Sequence, residues 1–383
     1  MKHAKYIKSE ENNIYIKGRG LPKGCKFCLK GQKAVLFING ICQKPDHCSW
    51  YCPISTERRG KDITFADEIE ITSNEGLLEE INMIEAKGMS ITGGEPLSEY
   101  NLEKTLDYIK FIKEQKGRKF HIHLYTNGTN FNESIADKLA LAGLDEIRFH
   151  PPKVLWTNIE YALRKGFDVG AEVPVIPDVE KQEELQDFII YLNSIGVDFI
   201  NLNEFEYCFP NSQSLKSRGF RLKEGSIASV VNSHKVAIDL MKGISNQVSI
   251  KIHFCPIRSK DYYQLKYRYL RRAKNIRLPY EVITDEGLLI FGQIEGNKEA
   301  LDKFYNIMLS EMKIDKDIMF SDGKSLKLPF YLSIDNRIIS LFERLQLIGY
   351  IVEITPFREQ LYQQITEKTP IKLFKKEFGF SEN

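Results

Sequence analysis

The chain has 383 residues, enough for one large domain or two ordinary ones, and its 42% of hydrophobic residues suffices for a full core. A formal net charge of +2 at pH 7 does not by itself indicate a nucleic-acid partner. The sequence has no run of 18 apolar residues, and residues 1–5 lack the apolar segment of a secretion signal, so we expect a cytoplasmic protein with no membrane partner. The seven cysteines are odd in number and clustered, which favours metal ligation over disulfide bonds.

The first motif in chain order is a CxxC pair, Cys25 and Cys28, within an expected N-terminal extension of residues 1–32. A CxxC pair with one or two distant cysteines indicates a metal site, either zinc or an additional iron–sulfur cluster. Cys255, at the end of a predicted strand, is the candidate third ligand. His253 is either a fourth ligand or a hydrogen-bonded, half-buried residue, whereas Cys208 is expected to be a plain buried thiol.

Three further cysteines follow the first predicted strand. Residues 33–39 form an apolar run that predicts a buried strand, and Cys42, Cys48 and Cys52 lie on the loop that leaves its end. Three thiolates can hold three irons of a cubic iron–sulfur cluster and leave the fourth iron open. A structural zinc site is the alternative, with the CxxC pair and two of these cysteines supplying four thiolates.

A glycine turn follows the second predicted strand, residues 88–92. It consists of Gly93, Gly94, Glu95 and Pro96, and a glycine turn with a carboxylate can bind an amino group. Such a turn is common and says little by itself. Here, however, the glycine turn follows a cysteine loop, and both motifs lie at strand ends of one βα pattern. Together they predict a site for an amino group close to the open iron.

Strands alternate with helices through the middle of the chain. Six predicted strands cover residues 33–39, 88–92, 121–128 with a turn, 145–150, 168–176 and 197–205. Helical patterns cover residues 76–87, 102–114, 135–142, 159–165 and 180–194. Strands separated in this way predict a parallel sheet built of βα units, and either an open doubly wound sheet or a partial barrel satisfies the pattern.

On these motifs the sequence resembles the radical S-adenosylmethionine (radical SAM) enzymes. In that family three cysteines hold a 4Fe–4S cluster, and SAM binds the fourth iron through its amino and carboxylate groups. An electron from the cluster cleaves SAM to methionine and a 5′-deoxyadenosyl radical, which abstracts hydrogen from the substrate. The resemblance covers residues 33–205 and implies an α/β fold, a partial (β/α)6 barrel with its active site at the carboxyl ends of the strands. Thr126-Asn127-Gly128 and the overall layout are most similar to the group related to pyruvate formate-lyase activating enzyme.

The resemblance implies roles for the two motifs. Cys42, Cys48 and Cys52 would hold the cluster, Tyr51 would pack near the adenine of SAM, and the turn Gly93–Pro96 would bind the SAM amino group.

The cysteine spacing departs from the family pattern of three and then two intervening residues, because here five and then three intervene. Loop insertions of this size cost little entropy. The insertion makes Asp46 and His47 either extra neighbours of the cluster or solvated loop residues.

Further candidate contacts lie at the strand ends that the resemblance places around the site. Those proposed for cofactor binding are Asn127, Arg148, Glu172 and Asn203. Arg148 and His150 point to the same side of their strand, since side chains alternate, and either contact SAM or face solvent. A carboxylate such as Glu172 in an apolar strand requires a partner, either SAM or Arg148. Glu204 and Glu206 are candidates for substrate or ribose contacts, and Asn127 with Gly128 could also be a simple turn.

Residues 258–277 carry eight basic residues, a single acid and four tyrosines. Near one helical stripe fall Tyr262, Leu265, Tyr269, Ala273 and Ile276, which leaves the arginines on the other faces. Such a helix either docks RNA phosphates and bases or packs its tyrosines on the barrel beneath a solvated basic face. The basic side chains to test are Lys266, Arg268, Arg271 and Arg272.

The pattern changes near residue 279. We expect a radical SAM core over residues 33–278 and a small α+β domain of ferredoxin-like type over 279–383, with a loosely packed tail at 372–377. The sequence offers no chemistry for the second domain, which we expect to hold substrate or cover the mouth of the barrel.

The main functional hypothesis is a radical SAM enzyme acting on a protein or an RNA, supplied with electrons by a donor of the flavodoxin or ferredoxin class. Activation of a glycyl-radical partner is a variant of it. The alternative is a zinc-stabilised nucleic-acid-binding protein without catalysis. A thiol oxidoreductase using Cys25 and Cys28 would not explain the glycine turn.

Overall fold

A computed structural model describes the backbone of residues 6–8 and the whole of residues 13–44 and 46–380. Residues 1–5, on which the expectation about a secretion signal depends, lie outside these ranges. The chain forms two compact units, Met1–Leu265 and Lys266–Asn383.

Eleven strands are described in the first unit. In chain order, β1 to β11 are Tyr6–Lys8, Ile14–Ile16, Lys33–Phe37, Thr64–Ala66, Ile69–Ile71, Gly88–Thr92, His121–Thr126, Glu146–Phe149, Asp168–Val175, Phe199–Glu204 and Lys251–Cys255. They form one sheet in the order β1-β2-β11-β10-β9-β8-β7-β6-β3-β4-β5. The seven strands from β11 to β3 along this order are parallel to their neighbours, whereas β1, β2, β4 and β5 pair antiparallel.

Helices connect the parallel strands. In chain order, α1 to α7 are Lys23–Cys28, Asn74–Met83, Leu102–Lys116, Glu133–Ala142, Val179–Ile195, Ser212–Ser217 and Ser233–Ile244. The segment between β8 and β9 is a 3₁₀ helix, Lys153–Ala162, which begins six residues before the predicted helix. Side-chain caps explain several starts: Asn132 accepts from the amide of Ile135 before α4, and Asp178 accepts from Lys181 before α5. Both helices end on glycines, Gly143 and Gly196, in left-handed conformation.

The six predicted strands correspond to β3, β6, β7, β8, β9 and β10, and the predicted α/β fold, a partial (β/α)6 barrel, is confirmed. One face of these strands is apolar and packs beneath the helices, with fully buried residues such as Ile91, Leu124 and Ile147. Since side chains alternate, the residues between them share the opposite face. That face is polar, and parallel registers such as His123 with Glu146 and Asn203 with Cys255 align its side chains from strand to strand.

The second unit is built on an antiparallel sheet, as the small C-terminal α+β domain was predicted to be. Strands β12 to β17 are Val282–Ile283, Leu289–Glu295, Phe320–Ser321, Ser325–Leu328, Ile348–Ile354 and Ile365–Pro370. Helices α8 to α12 are Leu265–Ile276, Lys298–Ser310, Phe330–Ser333, Asn336–Arg344 and Ile371–Glu377. The tail differs from the expectation of loose packing, because Ile371 and Phe374 of α12 are buried in the core of this unit.

A search for membrane spans over the described residues finds no helix with the length and apolar character required to cross a bilayer.

Candidate functional site

The cysteine loop and the glycine turn line one wall of a cavity of about 490 Å³ in the first unit. Cys42 and Cys48 contribute to this wall together with Gly93, Gly94 and Glu95. The cavity lies at the carboxyl ends of the parallel strands, since Thr126 ends β7 and Asn203 and Cys255 lie at the ends of β10 and β11. The volume lies within the range of small-molecule sites, roughly 300–1,000 Å³.

Backbone hydrogen bonds join the loop to the turn. The amide of Gly94 donates to the carbonyl of Asn39 at 2.6 Å, and the amide of Glu95 donates to the carbonyl of Ile41 at 3.0 Å. A Cβ on Gly94 would lie 2.0 Å from that Ile41 oxygen, and one on Gly93 would lie 2.6 Å from the Asn39 oxygen. The close approach therefore requires glycine at both positions, with a second reason at Gly93, whose φ is +136°.

A pair of buried asparagines fastens the same junction. The Nδ2 of Asn39 donates to Oδ1 of Asn101 at 2.6 Å, and the Nδ2 of Asn101 donates back to Oδ1 of Asn39 at 3.0 Å. Asn101 also donates to the carbonyl of Glu95 at 2.9 Å, while Oδ1 of Asn39 accepts from the amide of Ile41. Both side chains are fully buried, so this clasp holds the residues just before Cys42 against the turn.

Glu95 joins the ends of β6 and β7. Its carboxylate accepts from the hydroxyl of Thr126 at 2.7 Å, the amide of Asn127 at 2.7 Å and the amide of Leu97 at 3.0 Å. Burial raises the pKa of Glu95, and these three hydrogen bonds oppose that rise. The side chain thus places Asn127 on the cavity wall, where Asn127 makes a local turn by accepting from the amide of Thr129.

The three loop thiols are free and share one electrostatic environment. Burial, together with the neighbouring Cys48 and Cys52, raises the pKa of Cys42 to about 12. Burial, with Cys52 nearby, likewise raises the pKa of Cys48 to about 11. Cys42 and Cys48 therefore stay protonated until a cation offsets the charge of their thiolates.

Tyr51 lies between the main cavity and a smaller one of about 170 Å³. Its hydroxyl is hydrogen-bonded to Nε2 of His150 at 2.9 Å, and its ring packs against Phe205. His47 lines only the smaller cavity of these two, with its ring against that of His150 at 5.1 Å. Asp46 lines the main cavity and pairs with Lys44 at 3.0 Å on the surface. Of the two inserted residues proposed as cluster neighbours, only Asp46 therefore borders the main cavity.

Arg148 is not exposed to solvent, one of the alternatives left open, but lies at the centre of a buried ion-pair network. Its guanidinium pairs with Glu146 and, at 2.6 Å through Nη1, with Glu172. Glu172 accepts in turn from Nδ2 of Asn201 and of Asn203, each at 2.9 Å. Arg148 is thus the partner that the buried carboxylate of Glu172 required. Despite burial, Arg148 and the amides hold the pKa of Glu172 below its ordinary value.

Asn203 keeps one unpaired acceptor. Its Oδ1 is buried without a hydrogen-bond partner among the described residues, on a side chain that lines the main cavity. Glu206 is half-buried on the same wall, whereas Glu204 is committed to the protein because it accepts from the amide of Ile257 at 3.0 Å. Oδ1 of Asn203 is therefore a protein acceptor available to a ligand with an N–H or O–H donor.

The second cysteine set lies on this same cavity. Cys25 and Cys28 project from α1 and Cys255 ends β11, and all three line the wall. His253 is fully buried, and both its ring nitrogens are hydrogen-bonded, Nδ1 to Oδ1 of Asn201 and Nε2 to Oδ1 of Asn13. Of its two interpretations, the hydrogen-bonded one is correct, although the ring is completely rather than half-buried. Cys208 is half-buried.

Several residues of the site were missed by sequence reasoning. Glu146 and Asn201 each lie two residues before a nominated residue on the same strand, so strand alternation was the signal that could have found them. Thr126 belongs to the Thr126-Asn127-Gly128 motif, but sequence reasoning gave no role to its hydroxyl, which donates to Glu95. The Asn39–Asn101 clasp joins residues 62 positions apart, and no local pattern indicates it.

The basic helix differs from the prediction at Arg272, which was expected on an open face. Arg272 is 3% exposed, its Nε donates to the carbonyl of Pro356, and its guanidinium lies 4.2 Å from the ring centroid of Phe357. Arg272 therefore stabilises the second unit and is not presented to a ligand. Lys266, Arg268 and Arg271 are half-buried.

Across residues 13–44 and 46–380, no three side chains of His, Cys, Asp or Glu are gathered into a group that could hold a metal ion.

Comparison with known proteins identifies the family. The model of the radical SAM superfamily matches residues 15–151. A protein of Methanocaldococcus jannaschii named "Putative glycyl-radical enzyme activating enzyme" is 37% identical over 312 residues, which are 78% of this chain and 80% of that protein. The chain belongs to the radical SAM superfamily and is an enzyme. Within that superfamily it falls in the group related to pyruvate formate-lyase activating enzyme, as its sequence motifs predicted.

Two solved structures are also similar. SuiB of Streptococcus suis aligns over 59% of this chain and 49% of its own, with 11% identity and a TM-score of 0.39, so this chain spans about half its length. The radical SAM methyltransferase TsrM of Kitasatospora setae aligns over 52% of this chain and 42% of its own, with 14% identity and a TM-score of 0.35.

The residues present fit the cofactors that the family implies. Three free cysteine thiols on one loop are the donor set of a cluster with one open iron. The glycine turn approaches the loop so closely that any Cβ would collide with it, and the cavity between these walls and the strand ends has the size of a small-molecule site.

Proposed function

We propose that this enzyme binds a 4Fe–4S cluster through Cys42, Cys48 and Cys52 and binds SAM in the cavity of about 490 Å³. When bound, these groups supply a 5′-deoxyadenosyl radical that abstracts hydrogen from the substrate. The observation that carries the proposal is the cysteine loop hydrogen-bonded to the glycine turn at one wall of that cavity, in a chain of the radical SAM superfamily.

The chain's own residues have three tasks in this proposal. The backbone bonds between residues 39–41 and the turn hold the cysteine loop at the strand ends. The turn and Asn127 form the side of the pocket that we assign to the amino group of SAM, and Tyr51 the side assigned to its adenine. Cys42 and Cys48 lose their protons to solvent as iron binds, since their raised pKa values keep them protonated beforehand.

Three further residues of the pocket lining come from β8, β9 and β10, namely Arg148, Glu172 and Asn203. Arg148 is already paired with two carboxylates, so we propose that it positions Glu172 and does not itself bind the SAM carboxylate. Asn203 supplies the unpaired Oδ1 acceptor, which suits a ribose hydroxyl.

We propose a protein as the substrate and a flavodoxin or ferredoxin as the electron donor. The name of the M. jannaschii relative refers to activation of a glycyl-radical enzyme, which is a protein. The hypothesis of RNA as substrate depended on the basic helix, and the guanidinium of Arg272 in that helix is committed to the protein interior. Membership in a family of enzymes argues against a zinc-stabilised nucleic-acid-binding protein without catalysis.

The test is anaerobic reconstitution with iron and sulfide, followed by dithionite and SAM, with 5′-deoxyadenosine measured by liquid chromatography. The wild-type protein should form it, and Cys48→Ala should lose the product together with the part of the iron–sulfur absorption that this cluster contributes. Cys208→Ala is the matched control, because Cys208 lies outside the cysteine loop and should leave the absorption in place. No product from the wild-type protein, with zinc bound in its place, would refute the proposal.

A further inference from the structure

We propose that Cys25, Cys28 and Cys255, which line one cavity but are not gathered into a ready metal site, are drawn together by a thiophilic metal into a second, three-thiolate centre. The shared chemistry is thiolate ligation, either of a single divalent ion or of an iron–sulfur cluster. The proposal goes beyond SAM cleavage and does not depend on it.

The fold brings the three thiols to the cavity from distant parts of the chain. Cys25 and Cys28 lie three residues apart on α1, which places them on one side of that helix. A Cβ at Gly24 would lie 2.5 Å from Nη2 of Arg148 and 2.6 Å from Nδ1 of His123, so glycine there lets α1 sit directly on the polar face of the sheet. Cys255 pairs in register with Asn203 across β10 and β11.

The hydrogen bonds on Cys25 suit a metal ligand. Its sulfur accepts from Nη2 of Arg148 at 3.5 Å and from Nδ2 of Asn201 at 3.3 Å, and it is almost fully buried. A neutral thiol is a weak acceptor, whereas a thiolate accepts strongly from a guanidinium. Donors that orient a ligating atom and stabilise its charge are the usual surroundings of metal ligands.

The charges around the three sulfurs are compatible with a bound cation. Two carboxylates, Glu146 and Glu172, and three basic side chains, Arg148, Lys33 and Lys260, act on these sulfurs, and Glu206 and Asp261 act in turn on Lys260. Fixed charges of both signs therefore surround the thiols, and ionising all three adds negative charge that a thiophilic cation offsets.

A metal held by these three thiolates would have a coordination position that His253 does not fill. His253, the nearest candidate for a fourth protein ligand on β11, already uses both ring nitrogens in bonds to Asn201 and Asn13. Metal sites with three protein ligands and an open position bind exogenous molecules, whereas structural sites are closed. The second centre could therefore hold a heteroatom of the substrate; this last step alone rests on the proposed function.

The experiment isolates the second centre by removing the first. The full-length Cys42→Ala/Cys48→Ala/Cys52→Ala protein is prepared anaerobically and divided between two treatments, reconstitution with iron and sulfide, and titration with Co²⁺. We expect about one centre per chain, seen as iron–sulfur absorption in the first case or as thiolate-to-cobalt charge-transfer bands in the second. Adding Cys25→Ala or Cys28→Ser should abolish the signal, and adding Cys208→Ala should leave it unchanged.

Two outcomes would overturn the proposal. One is that the triple variant binds neither iron–sulfur nor cobalt; the other is that its signal survives the loss of both Cys25 and Cys255. If the triple variant binds neither, its free thiols are counted. A Cys25–Cys28 disulfide would then show that these two cysteines form a redox pair and not a metal site. Tryptophan fluorescence during urea unfolding verifies that each variant is folded. Because the radical-cluster cysteines are absent from every sample, failure here is independent of the proposed function.

Discussion

The asparagine clasp predicts that a residue outside the cavity lining controls assembly of the cluster. Replacing Asn101 by alanine removes three short hydrogen bonds at once, two with Asn39 and one with the carbonyl of Glu95, and a longer one of 3.5 Å to the carbonyl of Ile41. Each group left behind retains another partner, namely Asp62 and the amide of Ile41 for Asn39, and the amide of Ser98 for Glu95. The loss in free energy of unfolding should therefore be close to the contribution of the three short hydrogen bonds, because no buried polar group is left without a partner.

At roughly 0.5–1.5 kcal/mol for each buried bond, Asn101→Ala should lower the free energy of unfolding by about 2–4 kcal/mol. That is a large part of an ordinary stability of about 5–15 kcal/mol, so the variant should fold but with a loosened cysteine loop. We expect reconstituted iron to fall well below that of the wild type, although no cysteine is changed.

The assay uses the two tryptophans of the sequence, Trp50 and Trp156, which both lie in the first unit. Their fluorescence in the metal-free protein during urea unfolding reports that unit alone. The matched control is Asn82→Ala, because Asn82 is exposed and makes a surface hydrogen bond to Lys116. We expect the control to cost less than about 0.5 kcal/mol. If Asn101→Ala also costs less than that and binds full iron, the clasp does not position the loop.

Two further predictions concern the close approach at the turn and a buried imidazole. Gly94→Ala should lower both the free energy of unfolding and the iron content, because its Cβ would lie 2.0 Å from the carbonyl oxygen of Ile41. The control is Gly243→Ala in α7, whose Cβ would meet no atom within 4 Å and which should be neutral or stabilising. Equal effects of the two substitutions would contradict the steric argument. Burial lowers the pKa of His253 from 6.5 to about 3. Near pH 5, therefore, the imidazole binds a proton in the unfolded state but not in the folded state. The free energy of unfolding keeps the full contribution of His253 above pH 6.5 and decreases as the pH falls below that value. Between pH 6.5 and 5 this one group should cost about 2 kcal/mol, and His253→Gln should remove that share of the pH dependence of the urea midpoint; an unchanged slope would show that His253 is not buried in neutral form.

Local chemistry explains why so much of the site could be predicted. The cysteine loop, the glycine turn and the six strands are each encoded by contiguous residues, and hydrophobic periodicity separates strands from helices without knowledge of their partners. The same local patterns predicted the class of enzyme, which the comparisons confirmed. The Gly93-Gly94 pair can be recognised in the sequence as a turn. The sequence does not show, however, which backbone oxygen a Cβ at either position would collide with.

Pairings across the sheet could not be predicted in the same way. The alternative partners proposed for Glu172 were SAM and Arg148, and only the parallel register of β8, β9 and β10 decided in favour of Arg148. The same register added Glu146 and Asn201 to the network. A buried charge requires a partner, but which residue supplies it depends on the alignment of strands that are distant in sequence.

The sequence by itself determined the family, the cysteine loop and the order of the βα units, because these depend on short motifs and on periodicity within single elements. The tertiary structure decided that Arg272 is internal, that His253 is saturated by two asparagines, and that the CxxC pair and Cys255 line the same cavity as the cysteine loop. Each of these depends on contacts between residues tens to hundreds of positions apart, which arise only when the sheet forms and burial obliges every polar group to find a partner.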